Sequence, residues 1–120
     1  MPAPPLIAQA ITLQSGQPTG YKTLTRPDTG GEPAAVYSPG SGLINLTALL
    51  KSAGLGKSRR DAVLRALPPG TQKTVLKGGA ALLRGTWTSF ACALEVVEMW
   101  GLPGGVRDVV LAADEDHEES

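Results

Sequence analysis

The sequence predicts an α+β domain: short strands first, then two helices, a β-hairpin and two further helices. Three observations predict it. The apolar period runs near 2 in the first forty-odd residues, changes to 3.6, returns to 2, and ends at 3.6. Gly and Pro number 15 and 10 of 120 residues, about twice the usual share, so the elements are short and the turns many. Hydrophobic residues make up 42% but aromatics only 4%, which calls for one core of Leu, Val and Ala around a few large anchors. A chain of 120 residues fits a single domain, expected over residues 6–112.

Residues 1–5 are Pro-rich and read as disordered. Leu6 to Leu13 is partly alternating and β-branched, a first strand, and residues 15–20 form a turn. Tyr21 to Thr25 is a second strand, with Tyr21, Thr23 and Thr25 on one face and Lys22 and Leu24 on the other. A loop over residues 26–34 leads to a short third strand at Ala35–Tyr37. These strands make a small N-terminal antiparallel sheet.

Asn45 is placed to cap a helix running to Ala53, with Leu46, Leu49, Leu50 and Ala53 on one apolar face. Gly54 follows where a left-handed residue closes a helix. Ser58 is placed to cap a second helix, Arg59 to Leu67, which Pro68-Pro69-Gly70 stops. Lys73 to Lys77 and Leu82 to Trp87 alternate as two strands of a hairpin whose turn opens at Gly78-Gly79, with a loop longer than two residues expected because Ala80 and Ala81 carry no strand signal. Ser89 caps a third helix, Phe90 to Trp100, with Phe90, Ala93, Leu94, Val97 and Trp100 on its apolar face. Gly101 ends it, and Val106 to Ala113 reads as a fourth helix. Residues 113–120 read as an acidic disordered tail.

The sequence argues against an enzyme. The only histidine is His117, no base is positioned near a serine or near Cys92, and no ligand set has metal spacing, so no metal and no cofactor are expected. Cys92 reads as a small core residue. A single cysteine excludes an internal disulfide, and a reducing compartment is the default. Met1-Pro-Ala-Pro-Pro5 lacks the basic start of a signal peptide, and no apolar run approaches the roughly 20 residues of a membrane span.

The formal net charge of zero conceals a segregation. Residues 51–84 hold eight basic residues against Asp61, a net +7; residues 95–120 hold eight acids against Arg107, a net −7. A basic middle suits a polyanion, and the acidic end is placed to fold over it as an intramolecular mimic of DNA. Two helices joined by a tight turn and followed by a hairpin make a winged helix-turn-helix. The second helix then puts Lys57, Ser58, Arg59 and Arg60 at its N-terminal end, where amide dipoles favour phosphate. The wing carries Lys73, Lys77 and Arg84. With Lys51 and the turn glycines Gly78 and Gly79, these are the candidate DNA-binding residues. Arg60 also projects towards Val63, Leu64 and Leu67, and is equally placed to lie across the core edge. Trp87 and Trp100 read as core anchors.

Residues 43–102 resemble the core of the APSES/KilA-N DNA-binding domain of fungal transcription regulators, large DNA viruses and phages. The resemblance rests on Ile44-Asn45-Leu46-Thr47 with Leu50 to Gly54, on Lys57-Ser58-Arg59-Arg60, and on Gly78-Gly79 followed by Gly85-Thr86-Trp87. It implies a winged helix-turn-helix packed on a small sheet, a nuclear location, and sequence-specific binding of double-stranded DNA as part of a transcription regulator. The wing departs from the family pattern. Lys77 and Arg84 stand where typical members carry polar readers, and the tip is apolar, Ala80-Ala81-Leu82-Leu83. Basic replacements keep phosphate attraction but alter base readout. The apolar tip, Leu82 and Leu83, suits a nuclear protein partner instead, as in divergent members that work in telomere, chromatin or nuclear-envelope assemblies.

Overall fold

The computed structural model describes residues 6–12, 15–26 and 33–119; residues 1–5, expected to be disordered, lie outside them. The fold is α+β. Strands β1 (Ile7–Thr12), β2 (Pro18–Thr25), β3 (Pro33–Ser38) and β4 (Leu43–Asn45) precede helices α1 (Leu46–Ser52) and α2 (Lys57–Arg65). The hairpin strands β5 (Lys73–Leu76) and β6 (Gly85–Ser89) follow, then α3 (Phe90–Met99) and α4 (Gly104–Glu119).

The N-terminal strands and the wing are one sheet rather than two. Its order is β1-β2-β3-β4-β6-β5, antiparallel throughout. The join is made by β4, where Ile44 lies opposite Tyr37 on one side and Thr88 on the other. Three residues suffice to fuse the two parts, and so short a strand leaves little period to read.

One face of the sheet holds Leu24, Ala35, Tyr37 and Ile44, buried in the main core with Leu46, Leu49 and Leu50 of α1, Val63 of α2, and Phe90, Ala93 and Val97 of α3. On the other face Trp87 is 2% exposed, its ring 5.3 Å from that of Tyr21 and its Nε1–H donating to the Leu83 carbonyl at 2.9 Å. Trp87 thus anchors the wing. Trp100 is only half-buried at the edge of the core.

Local chemistry sets the helix ends. The Asn45 Oδ1 accepts from the Ala48 amide at 3.1 Å, and the Ser89 Oγ from the Cys92 amide at 3.1 Å. Gly54, at φ +90°, closes α1 while the Leu55 amide reaches back to the Leu50 carbonyl. Helix α2 differs from expectation. Its N-cap is Gly56, so Ser58 lies inside the first turn and caps nothing. Glycine is tolerated at that position, which lets the connection between the helices shrink to four residues, 53–56. Residues 66 and 67 lie beyond its C-terminus. The hairpin also differs: β6 begins at Gly85, and residues 81–83 form a 3-10 turn rather than strand. The connection is longer than two residues, in line with the missing strand signal at Ala80 and Ala81.

The largest departure is at the C-terminus. Residues 113–119 are not a disordered tail but the last turns of α4. Val106, Val109, Val110 and Ala113 are buried at i, i+3, i+4 and i+7 and carry the helix into the core. Beyond them the Tyr37 hydroxyl donates to the Asp116 carboxylate at 2.7 Å, and Lys22 pairs with it at 3.1 Å. The His117 ring packs 5.6 Å from Phe90, and its Nδ1–H donates to the Pro39 carbonyl. The hydrogen bond from Tyr37, reinforced by Lys22, holds the Asp116 carboxyl below its usual range. Burial, then Asp116, push the Tyr37 hydroxyl well above its own, so it remains a donor. Charge density alone predicts a solvated segment; partners from β2 and β3 overturn that.

Candidate functional site

Among the described residues a groove of about 600 Å³ opens between α1, α2 and the wing. Its walls carry three cations from three elements: Lys51 on α1, Arg60 on α2 and Arg84 at the foot of the wing. Thr47, Ala48 and Ser52 of α1, Val36 of β3 and Ala81 and Leu82 of the wing complete most of the lining, and none of the lining residues is acidic.

Each cation is placed by a local device. Lys51 falls in the last turn of α1, on the side away from Leu46, Leu49 and Leu50. Arg60 does both things expected of it. It is half-buried, its Nη1–H donates to the Leu55 carbonyl at 3.1 Å, and it still lines the groove. Arg84 donates from Nε to the Gly79 carbonyl at 3.0 Å, which folds the wing loop back on itself.

The wing is then tied to α1 by a side chain that the charge pattern does not mark. Asn45 is fully buried. While its Oδ1 caps α1, its Nδ2 donates to the carbonyls of Arg84 at 2.9 Å and Leu82 at 3.3 Å. Next to it, the Thr86 amide donates to Thr47 Oγ1 at 3.0 Å. Gly85 sits between these groups at φ +135°, where a Cβ would stand 2.7 Å from Asn45 Oδ1 and 2.8 Å from Thr47 Cβ. Only glycine fits the backbone and the space. Asn45, Thr47 and Gly85 therefore set where Arg84 and Leu82 stand relative to Lys51.

The remaining candidates do not converge on the groove. Lys57, Ser58 and Arg59 are exposed at the start of α2, and Lys73, Lys77, Gly78 and Gly79 are exposed along the wing. At the tip Leu82 is 45% exposed, whereas Leu83 is half-buried and its carbonyl is taken by Trp87.

No family model matches the chain, and neither does any curated protein. Among solved structures the chain is similar to one described as "Structure of DNA complex of PCG2". The likeness has a TM-score of 0.67 and covers 92% of this chain and 89% of that one, at 19% identity. The two chains share a fold.

The acidic helix end does not cover the groove. Val36 lines the groove and Tyr37 holds Asp116, and successive residues of β3 face opposite sides of the sheet. The expected mimicry of DNA by residues 113–119 is thereby corrected: they dock behind the sheet. Cys92 is half-buried, and burial pushes its thiol up, which favours the protonated form. Among the described residues no three His, Cys, Asp or Glu side chains gather as a metal site, and no helix is long and apolar enough to cross a membrane.

Proposed function

We propose that this chain is a divergent APSES/KilA-N-type module that binds double-stranded DNA in a sequence-dependent way, as the DNA-binding part of a nuclear transcription regulator. The observation that carries the proposal is the convergence of Lys51, Arg60 and Arg84 from three elements on one acid-free groove. Cations on facing walls neutralise phosphates and fix register, while side chains between them meet base edges. Arg59 reaches a base edge from the start of α2, while Lys57 beside it and Lys77 on the wing extend the phosphate-binding surface. The α2 N-terminus has no side-chain cap, so its first amides are open to an anion. The likeness to a chain solved in a DNA complex supports the same reading.

Random-oligonucleotide selection with the purified chain tests sequence dependence. Enrichment of one short motif is expected, and a pool that stays random after several rounds would refute it.

A second reading rests on the apolar wing, where Leu82 is 45% and Val75 52% exposed. These side chains suit a nuclear protein partner. Under that reading Leu82→Asp abolishes partner binding and Lys77→Ala leaves it intact, whereas Lys77→Ala weakens DNA binding.

A further inference from the structure

The two edges of the sheet are not alike. Strand β5 begins with Lys73 and is followed directly by Lys77, exposed cations that repel a copy of the same strand. Strand β1 is the other edge, paired among the described residues only with β2. It contains no ionisable side chain and no proline: Ile7-Ala8-Gln9-Ala10-Ile11-Thr12. Ile7, Ala8, Gln9, Ala10 and Thr12 are exposed, Ile7 at 47%. From Ile7 to Ala10 the edge is in regular register with β2 and offers the backbone groups that β2 does not take; the register shifts between Ala10 and Thr12, where the Ile11 carbonyl accepts from Thr19 Oγ1 at 2.7 Å, and no charge along the strand turns another strand away.

The order of residues in β1 says which strand. From Ile7 to Ile11 the sequence reads identically in both directions about Gln9. Antiparallel pairing of two copies reverses one of them. Centred on Gln9, it sets Ile7 opposite Ile11 of the second copy, Ala8 opposite its Ala10, and Gln9 opposite its Gln9. Large side chains meet large, small meet small, and the two amides can hydrogen-bond to each other. A two-fold interface requires such self-complementarity. A slip of one residue would set isoleucine against alanine and lose the match.

We infer that the chain pairs with a second copy of itself through β1, antiparallel and centred on Gln9, joining two six-stranded sheets into one. The contact is two short strands, well below the roughly 1,200 Å² of standard interfaces, so the dimer is weak and depends on concentration. The pairing does not depend on the DNA-binding proposal, because the groove lies among α1, α2 and the wing.

Single cysteines read the register directly. Directly opposed residues of an antiparallel pair have Cα atoms about 4.5–5.5 Å apart, within the span of a disulfide. Gln9→Cys is therefore expected to form a disulfide-linked dimer in a glutathione buffer. Ile7→Cys alone and Ile11→Cys alone do not, because each faces the other position, about 13 Å from its own copy along the strand. A mixture of those two variants does cross-link. The wild type, with Cys92 only, is the control. Sedimentation equilibrium of the wild type is expected to show a monomer–dimer equilibrium up to about 1 mM. Gln9→Lys, which puts like charges face to face, weakens it at least tenfold with an unchanged circular dichroism spectrum. The inference is overturned by a wild type that is monomeric at about 1 mM. It is equally overturned if Gln9→Cys cross-links no faster than Ile7→Cys, or if Gln9→Lys associates like the wild type.

Discussion

Asn45 performs two tasks that substitution can separate. Its Oδ1 caps α1, and its Nδ2 ties the wing through two carbonyls. Serine caps a helix about as well as asparagine but is too short to reach the wing. Asn45→Ser therefore removes the tether alone. The bond to the Arg84 carbonyl, at 2.9 Å, has full strength, while that to Leu82, at 3.3 Å, is weaker. At roughly 0.5–1.5 kcal/mol net per hydrogen bond, the tether contributes about 1–2 kcal/mol. Asn45→Ala also loses the cap, a further ~1 kcal/mol. For a domain of this size each kcal/mol lowers Tm by roughly 3–5 °C, so thermal melts should resolve three steps. Hydrogen exchange localises the effect. In Asn45→Ser the amides of Leu83, Arg84 and Thr86 should exchange faster, while those of α1 keep their protection. Equal stability of the serine variant and the wild type would show that the tether contributes nothing, and the account of how the wing is positioned would fall.

Other expectations follow from the same geometry. Gly85→Ala forces φ +135° on a residue with a Cβ and drives it into Asn45 and Thr47; urea unfolding should show a loss of about 3–5 kcal/mol, and a loss below ~1 kcal/mol would contradict the packing. Asp116 has a folded-state carboxyl held below its usual range, so its stabilisation is complete above about pH 4 and disappears as pH falls through the lower folded value. Asp116→Asn should therefore flatten the acid limb of Tm against pH, and an unchanged limb would remove the contact with Tyr37 from the account. Truncation after Ala112 should lower Tm without tightening duplex binding, since the acidic turns dock behind the sheet; tighter binding would restore autoinhibition. Replacing Lys77 by Ala should weaken all duplexes about equally, whereas Arg59→Ala should relax discrimination at one base by roughly 1–3 kcal/mol, both read by competition anisotropy.

The parts of this molecule legible from sequence are those made by neighbours in the chain. Asn45, Gly54 and Ser89 each act within a few residues of themselves, and each marks a helix end as expected. The strands at Tyr21–Thr25 and Ala35–Tyr37 were legible from alternation, although both run longer at their starts. What failed depends on distant partners. The acidic end of α4 is ordered by Tyr37 and Lys22, some eighty to ninety residues away. The start of α2 was misplaced because a glycine cap leaves no side-chain signal, while Ser58 offers a false one. In the site, charge pointed to Lys51, Arg60 and Arg84. It was silent on Asn45 and Thr47, whose polar atoms are used up in holding the wing. The juxtaposition of Ile44-Asn45-Leu46-Thr47 with Gly85-Thr86-Trp87 in the family resemblance is the one sequence signal that held those residues together.

The central claim is that the groove and its basic surroundings bind duplex DNA. Fluorescence anisotropy of the wild-type chain with a labelled duplex, titrated at several salt concentrations, tests it most directly. With four to six phosphates neutralised, log affinity should fall against log salt with a slope of about −4 to −5. Binding weaker than about 100 µM at physiological salt, the weak end of ordinary non-specific affinity, would contradict the claim.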